Sequence, residues 1–268
     1  MAIVVGSKTR TWSQRERRYL LDRASAEHTV NTLFRRLPTV VYVPGSVITQ
    51  VVTTYLDTPG RHYLNIADES KGLRSVKVRV REYMSIARGE HKPLSTSECY
   101  LERKQRVNEV RIKQRVELDK SELSGILSGG SSLNGSDAAQ AITSELSSLD
   151  LRPALVSAYR RIVFGDEENL RITFDEQLAF YQPPAGMYEA NNALTFDVLG
   201  EPIARGPARI LEIKHPEHSE IPNWLQTLVE EIPDANGFSK FRAGMHAVPR
   251  ADGKPVRLSP SLVAMKVG

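Results

Sequence analysis

SVKVRVREY, residues 75–83, alternates without a break. Val76, Val78 and Val80 fall on one side of an extended chain, and Lys77, Arg79 and Arg81 on the other. A period of two is the mark of a β-strand with one buried face. The second face is harder to explain, because like charges about 7 Å apart along a strand repel one another. Those cations need either solvent or an anion.

The habit recurs along the chain. Tyr100, Glu102 and Lys104 share a face in CYLERKQRV, and Arg111, Lys113, Arg115 and Glu117 share one in VRIKQRVEL. Tyr159 and Arg161 do so in SAYRRIVF, Arg171, Thr173 and Asp175 in LRITFDEQ, and Glu212 and Lys214 in RILEIKHP. One such strand is an ordinary solvated face that protects a sheet edge. Six of them predict a closed barrel with a polar interior, its cations partly offset by carboxylates and otherwise by an anionic ligand. Arginine forks and mobile lysine charges along a tunnel suit an extended polyanion such as a triphosphate or a phosphate chain. The interspersed carboxylates suit a divalent cation that prefers oxygen ligands.

The rest of the chain frames that barrel. Strands are predicted over 15–22, 74–83, 97–106, 110–118, 154–164, 170–181 and 208–216, and in SVITQVVTTYLDTPG. Helical spacing of Val30, Leu33, Phe34 and Leu37 predicts a helix that Ser25 caps and Pro38 ends. A second amphipathic helix covers IPNWLQTLVEEI. RHYLNIADES is irregular or a short helix, residues 183–207 a loop, and residues 120–150 a polar, partly helical surface insertion. The expected fold is α+β, mainly antiparallel, an eight-stranded tunnel barrel with peripheral helices in one domain over 14–246. Residues 1–13 and 247–268 are expected to be tails.

Composition narrows the function. The chain has 268 residues, 36 basic and 32 acidic, for a net charge of +4. That balance is not the lopsided charge of a generic nucleic-acid binder, aromatics make up only 7%, and a narrow lumen excludes a duplex, so no nucleic-acid partner is expected. The single cysteine, Cys99, rules out an intramolecular disulfide and points to a reducing compartment. The apolar run near the N-terminus is too short for a signal peptide, and no segment reaches the roughly 20 apolar residues of a membrane span. A cytoplasmic location follows as an expectation, with a membrane-protein partner allowed. No GxxxxGK[ST], HExxH or GxSxG segment is present, and His215 beside Glu212 reads as structural.

In this order, RERRYLLD, TTYLDTPG, GLRSVKVRVREY, CYLERKQR, IKQRVEL, RPALVSAYRRIVF, LRITFD, ILEIKHP and GFSKF resemble the VTC domain, the polyphosphate polymerase module of the triphosphate tunnel metalloenzyme superfamily. The resemblance spans about residues 14–245. It implies a basic tunnel that takes ATP or another triphosphate and a polyphosphate chain, with Mn2+ or Mg2+ as cofactor. Carried over by motif, it implies catalytic roles for Arg79, Arg81, Lys104, Arg161, Arg171 and Lys240. It implies substrate binding by Arg18, Lys113, Tyr159, Lys214 and Ser239, and metal binding by Glu212, Glu102 and Glu16. The reaction implied is transfer of the terminal phosphoryl group of ATP to a growing chain. A triphosphatase using the same tunnel and a non-catalytic polyphosphate sensor are the alternatives. Three positions depart from the pattern: Arg18 stands where lysine is frequent, Gln14 replaces the acidic partner of Glu16, and Gly237 stands where some polymerases carry lysine.

Overall fold

The computed structural model describes residues 2–4, 7–11, 14–42, 46–85, 94–95, 98–108, 110–127, 132–134, 136–165, 169–188 and 196–249. The chain begins with β1 (Ala2–Val4), β2 (Ser7–Thr11) and β3 (Gln14–Leu20), then α1 (Arg23–Arg36), β4 (Thr49–Asp57) and α2 (His62–Glu69). Next come β5 (Arg74–Ser85), β6 (Leu94–Ser95), β7 (Glu98–Val107), β8 (Val110–Asp119), α3 (Lys120–Leu127), β9 (Ser132–Asn134) and α4 (Asp137–Ser148). The last third holds β10 (Arg152–Gly165), β11 (Arg171–Tyr181), α5 (Phe196–Leu199), β12 (Ala204–Arg205), β13 (Arg209–Pro216), α6 (Asn223–Val229) and α7 (Lys240–Ala247).

The main sheet runs β2-β8-β7-β5-β4-β10-β11-β13-β3, with β6 on β5 and β12 on β11, and every pairing in it is antiparallel. The predicted antiparallel tunnel fold is the observed one, with a difference in closure. Among the described residues the end strands β2 and β3 do not pair, so the hydrogen-bonded path is a curled half-barrel. A side chain reaches across the gap: an Arg111 guanidinium nitrogen on β8 lies 3.6 Å from a Glu16 oxygen on β3.

Alternation sets the two faces. Val78 and Val80 are almost wholly buried outside the curl, in a core with Leu101 and Val116 from the next strands and Leu123, Ile126 and Ile142 from α3 and α4. A second outer core packs α1 and α6 through Leu33, Leu225 and Val229 onto Phe164, Ile172, Leu211 and Ile213. Burying Leu33 completely contributes about 1.5–3 kcal/mol. Much of the sheet's inner face is therefore left to the ionic residues.

Several expectations need correction. The cap of α1 is Asp22, whose carboxylate accepts the Ser25 amide at 2.7 Å, so the helix starts a turn earlier than a Ser25 cap would place it. Residues 120–150 are not a surface insertion, since Leu123, Ile126, Leu133, Ala138, Ala139 and Ile142 are all buried. Residues 2–4 and 7–11 are strands rather than a leader, β1 pairing in parallel with β9 and β2 with β8. Within 183–207 lie α5 and β12, and residues 189–195, like 250–268, fall outside the described residues. The helix in SKFRAGMHA, α7, was not predicted at all. Ser239 caps it, its hydroxyl accepting from the Arg242 amide.

α7 lies inside the curl. A Cβ on Gly244 would stand 2.5 Å from Leu155 Cδ2 and 2.6 Å from Phe180 Cδ1, so this glycine sets how closely the helix approaches the inner face. Phe180 reaches that face through a β-bulge. The β10–β11 register shifts between Ala158 and Arg160, and Gln177 opposite adopts φ 56°. Before the bulge the odd residues Arg171, Thr173 and Asp175 face inward; beyond it the even residues Leu178 and Phe180 do.

Candidate functional site

Inside the curl, basic side chains converge on three buried carboxylates. Glu102, fully buried on β7, accepts Arg79 Nε at 2.8 Å, Lys113 Nζ at 2.7 Å and Arg115 Nε at 2.7 Å. Arg79, Glu102 and Arg115 stand opposite one another in register on β5, β7 and β8, and Lys113, opposite Lys104, reaches Glu102 diagonally. Burial pushes the Glu102 carboxyl upward, but Arg79, Arg81, Lys113 and Arg115 outweigh it and hold it well below the usual carboxylate range.

Asp175 on β11 is the second anchor. Arg161 grips it in a two-point fork, Nε to Oδ1 at 2.6 Å and a terminal nitrogen to Oδ2 at 2.8 Å. Lys240 at the start of α7 adds a bond of 2.7 Å. Tyr159 lies beneath both cations, 5.1 Å from the Arg161 guanidinium and 4.7 Å from Lys240 Nζ. The two cations override the burial that would raise the Asp175 carboxyl and leave it lowered.

Glu212 on β13 is the third. It accepts Arg18 Nε at 2.7 Å and Lys214 Nζ at 2.6 Å. Arg18 also meets Glu16, two residues before it on β3, and donates to the Phe238 carbonyl at 3.0 Å ahead of α7. At another part of the wall Arg171 bonds the Tyr42 hydroxyl, and Tyr42 stacks on Tyr83 at 5.5 Å. The Tyr83 hydroxyl in turn accepts from Arg81 at 3.4 Å and Arg115 at 3.3 Å.

The three anchors do not satisfy every cation. Among the described residues Arg81 forms no ion pair with a carboxylate, and its Nε is buried without an acceptor. Among the described residues Lys77 donates only to the Ser239 hydroxyl, at 3.2 Å. Lys104 has no hydrogen-bond or ion-pair partner among the described residues. Burial first, then Lys214 and Arg79, push its ammonium down to about 7. Burial likewise brings Lys113 to about 7 despite Glu102, and drives Lys77 well below its ordinary value with Lys104 adding to the effect. Buried cations that repel one another are costly, and a multivalent anion in their midst removes that cost.

All fourteen residues named from the sequence therefore face this interior. They differ in what they hold. Glu102 is ringed by three cations and reads as a counter-ion. Glu16 and Glu212 are the pair that fits a divalent metal: both are hard oxygen donors and both converge on Arg18. Magnesium commonly uses only one or two carboxylates, with phosphate oxygens completing the shell. Among the described residues no three His, Cys, Asp or Glu side chains cluster as a ready-made metal cage.

Sequence reasoning missed Asp175, Arg115, Arg111, Tyr42 and Tyr83 as members of the site. Asp175 and Arg115 stood on the recognised ionic faces, so alternation could have found them. Tyr42 sits in a loop and had no periodic signal. His215 points away from the interior; it is buried with Nδ1 3.5 Å from Ser219 Oγ, in keeping with a structural role. Cys99 is buried on the outer face, where burial lifts its thiol to about 12. No helix among the described residues is long and apolar enough to cross a membrane.

The sequence profile of the VTC domain matches residues 13–248. No protein of curated function matches. Among solved structures, the chain is similar to a Bacillus halodurans protein named as a candidate adenylate cyclase. Identity is 11%, covering 83% of this chain and 89% of that one, with a TM-score of 0.49. It is also similar to the PH1819 protein of Pyrococcus horikoshii, with 12% identity, coverage of 85% and 96%, and a TM-score of 0.44.

Proposed function

The chain belongs to the VTC domain family, and on that premise we propose that it is a polyphosphate polymerase, moving the terminal phosphoryl group of ATP onto a polyphosphate chain inside the curl. The observation that carries the reading is the set of interior cations that form no carboxylate ion pair among the described residues: Arg81, Lys77 and Lys104. A phosphate chain supplies the missing negative charge along the length over which these groups are spread.

In this reading Arg79, Arg81, Lys104 and Lys113 hold the triphosphate, and Arg161, Arg171, Lys214 and Lys240 hold the other anion in line with it. The terminal phosphate oxygen of the chain attacks the γ-phosphorus, the bond from the γ-phosphorus to the β–γ bridging oxygen breaks, and ADP leaves. No protein nucleophile is needed, since positioning and charge stabilisation supply most of what phosphoryl transfer requires. Arg161 and Lys240 are kept straight by Asp175, so their charges meet the transferring group without reorganisation. Glu16 and Glu212 would hold Mn2+ or Mg2+, which supplies charge neutralisation at the bridging oxygen.

One observation favours a sensor instead: Arg18 already ties Glu16 and Glu212 together. The test is to incubate the protein with ATP and Mn2+ and resolve the products. Polymer is expected. Free phosphate alone makes the chain a triphosphatase, and tight ATP binding without turnover makes it a sensor.

A further inference from the structure

The same strands border a second cavity at the rim of the curl, away from the tunnel cations. Its volume is about 1010 Å3, and it is lined from β3, β10, β11, β12 and β13. Three arginines reach it: Arg160 on β10, Arg205 on β12 and Arg209 at the start of β13. Arg160 follows Tyr159 and precedes Arg161, so strand alternation sends it outward while its neighbours face the tunnel. The arginine wall of this cavity is thus on the opposite face from the tunnel cations, with Leu20 and Leu178 of the inner face bordering it at the strand ends.

The arginines are conspicuously without partners. Among the described residues none of the three forms an ion pair or a side-chain hydrogen bond, and Arg160 Nε is buried with no acceptor. Carboxylates are present in the wall, namely Asp22 and Glu201, yet among the described residues neither forms an ion pair with these arginines, Arg209 acting on Asp22 only at longer range. Asp22 is committed to the Ser25 amide at the start of α1, and both acids are exposed. A buried guanidinium nitrogen left unbonded costs about 1–3 kcal/mol or more, which a bound acceptor recovers.

The wall is also built in advance. The Gly206 amide donates to the Leu178 carbonyl at 2.9 Å, Ile203 to Phe180 at 2.8 Å and Leu21 to Arg209 at 3.2 Å. A Cβ on Gly206 would stand 2.5 Å from Leu178 Cδ2, so the chain carrying Arg205 is pressed onto the sheet at this point. Between the arginines, Leu21, Pro202, Pro207 and Tyr181 give the cavity an apolar lining. The volume stands at the upper end of small-molecule sites, larger than a bare phosphate needs.

We propose that this outer cavity binds a phosphate monoester with a compact apolar body, its phosphate held by Arg160 and Arg205 and its body resting on Tyr181 and Leu21. Guanidinium forks match phosphate oxygens two at a time, whereas a lone carboxylate would leave one of the forks unfilled.

Phenyl phosphate is the probe. It is titrated calorimetrically into the folded chain, with tripolyphosphate first added to saturation to fill the tunnel. One phenyl phosphate site is expected to remain, weakened about tenfold or more in the double variant R160Q/R205Q. R205Q alone, at an exposed position that leaves the fold intact, is expected to weaken it severalfold. Absence of any site in the tripolyphosphate-filled protein overturns the proposal, and so does an unchanged affinity in R160Q/R205Q. Should tripolyphosphate itself fail to bind, the tunnel reading falls, while loss of phenyl phosphate binding in R160Q/R205Q still upholds the outer site.

Discussion

Arg79 and Glu102 face each other across β5 and β7, joined by Nε at 2.8 Å and a terminal nitrogen at 2.6 Å, with the carboxylate wholly shielded from solvent. Lys113 and Arg115 close on the same carboxylate from β8. One buried negative charge on β7 thus holds three cations from the two flanking strands at the centre of the tunnel.

Glu102→Gln keeps the shape and removes that charge. Leaving the surrounding cations uncompensated is expected to cost about 3–5 kcal/mol of stability, read by urea unfolding. Tripolyphosphate should restore more stability to the variant than it adds to the wild type, because the anion replaces the missing charge. Equal stabilisation of both proteins would show that Glu102 is not the counter-ion of the tunnel.

Lys104 and Lys113 both titrate at about 7 in the ligand-free protein, against about 10.4 for an ordinary lysine. Between those values the unfolded chain binds more protons than the folded one, so stability rises as pH rises from 7 to 9, by up to about 1.4 kcal/mol per pH unit for each group. Anion affinity runs the other way, highest below pH 7 and falling above it as the ammonium charges are lost. Binding near pH 7.5 should therefore take up protons, visible as a dependence of the calorimetric enthalpy on the buffer's ionisation heat.

Gly244→Leu drives a side chain into Leu155 and Phe180 and displaces α7. A loss of about 1–3 kcal/mol is expected. Weaker tripolyphosphate binding should accompany it, because Ser239 and Lys240 move with the helix. Stability lost with affinity intact would separate α7 from the site.

Much of this site is legible in the sequence because strand alternation is strict. Lys77, Arg79 and Arg81 against Val76, Val78 and Val80 already assign both faces, and the same argument serves β7, β8 and β13. What alternation cannot carry is a break in itself. The bulge at Gln177 reverses the faces of β11 midway, and no residue there advertises it, a glutamine with φ 56° being unusual. Pairing is equally hidden: nothing local says that Asp175 will hold a lysine 65 residues later in the chain. α7 escaped notice because it is short and packs against the tunnel side, where its small and apolar residues, Ala243, Gly244, Met245 and Ala247, look like loop composition. Residues 120–150 misled for the opposite reason: the serines and glycines set the tone of the segment, while Leu123, Ile126 and Ile142 do the packing. Lys77 lies outside the paired-arginine motif, yet the structure turns it inward to Ser239.

The central claim is that the interior cations without carboxylate partners exist to bind a phosphate chain. Calorimetric titration of tripolyphosphate into the wild type and into the Arg81→Ala/Lys104→Ala double variant tests it most directly. The account predicts one tight site in the wild type and a loss of about a hundredfold or more in the variant, with the variant at least as stable as the wild type because its buried repulsion is relieved. A wild type that does not bind, or a double variant that binds equally well, would contradict it.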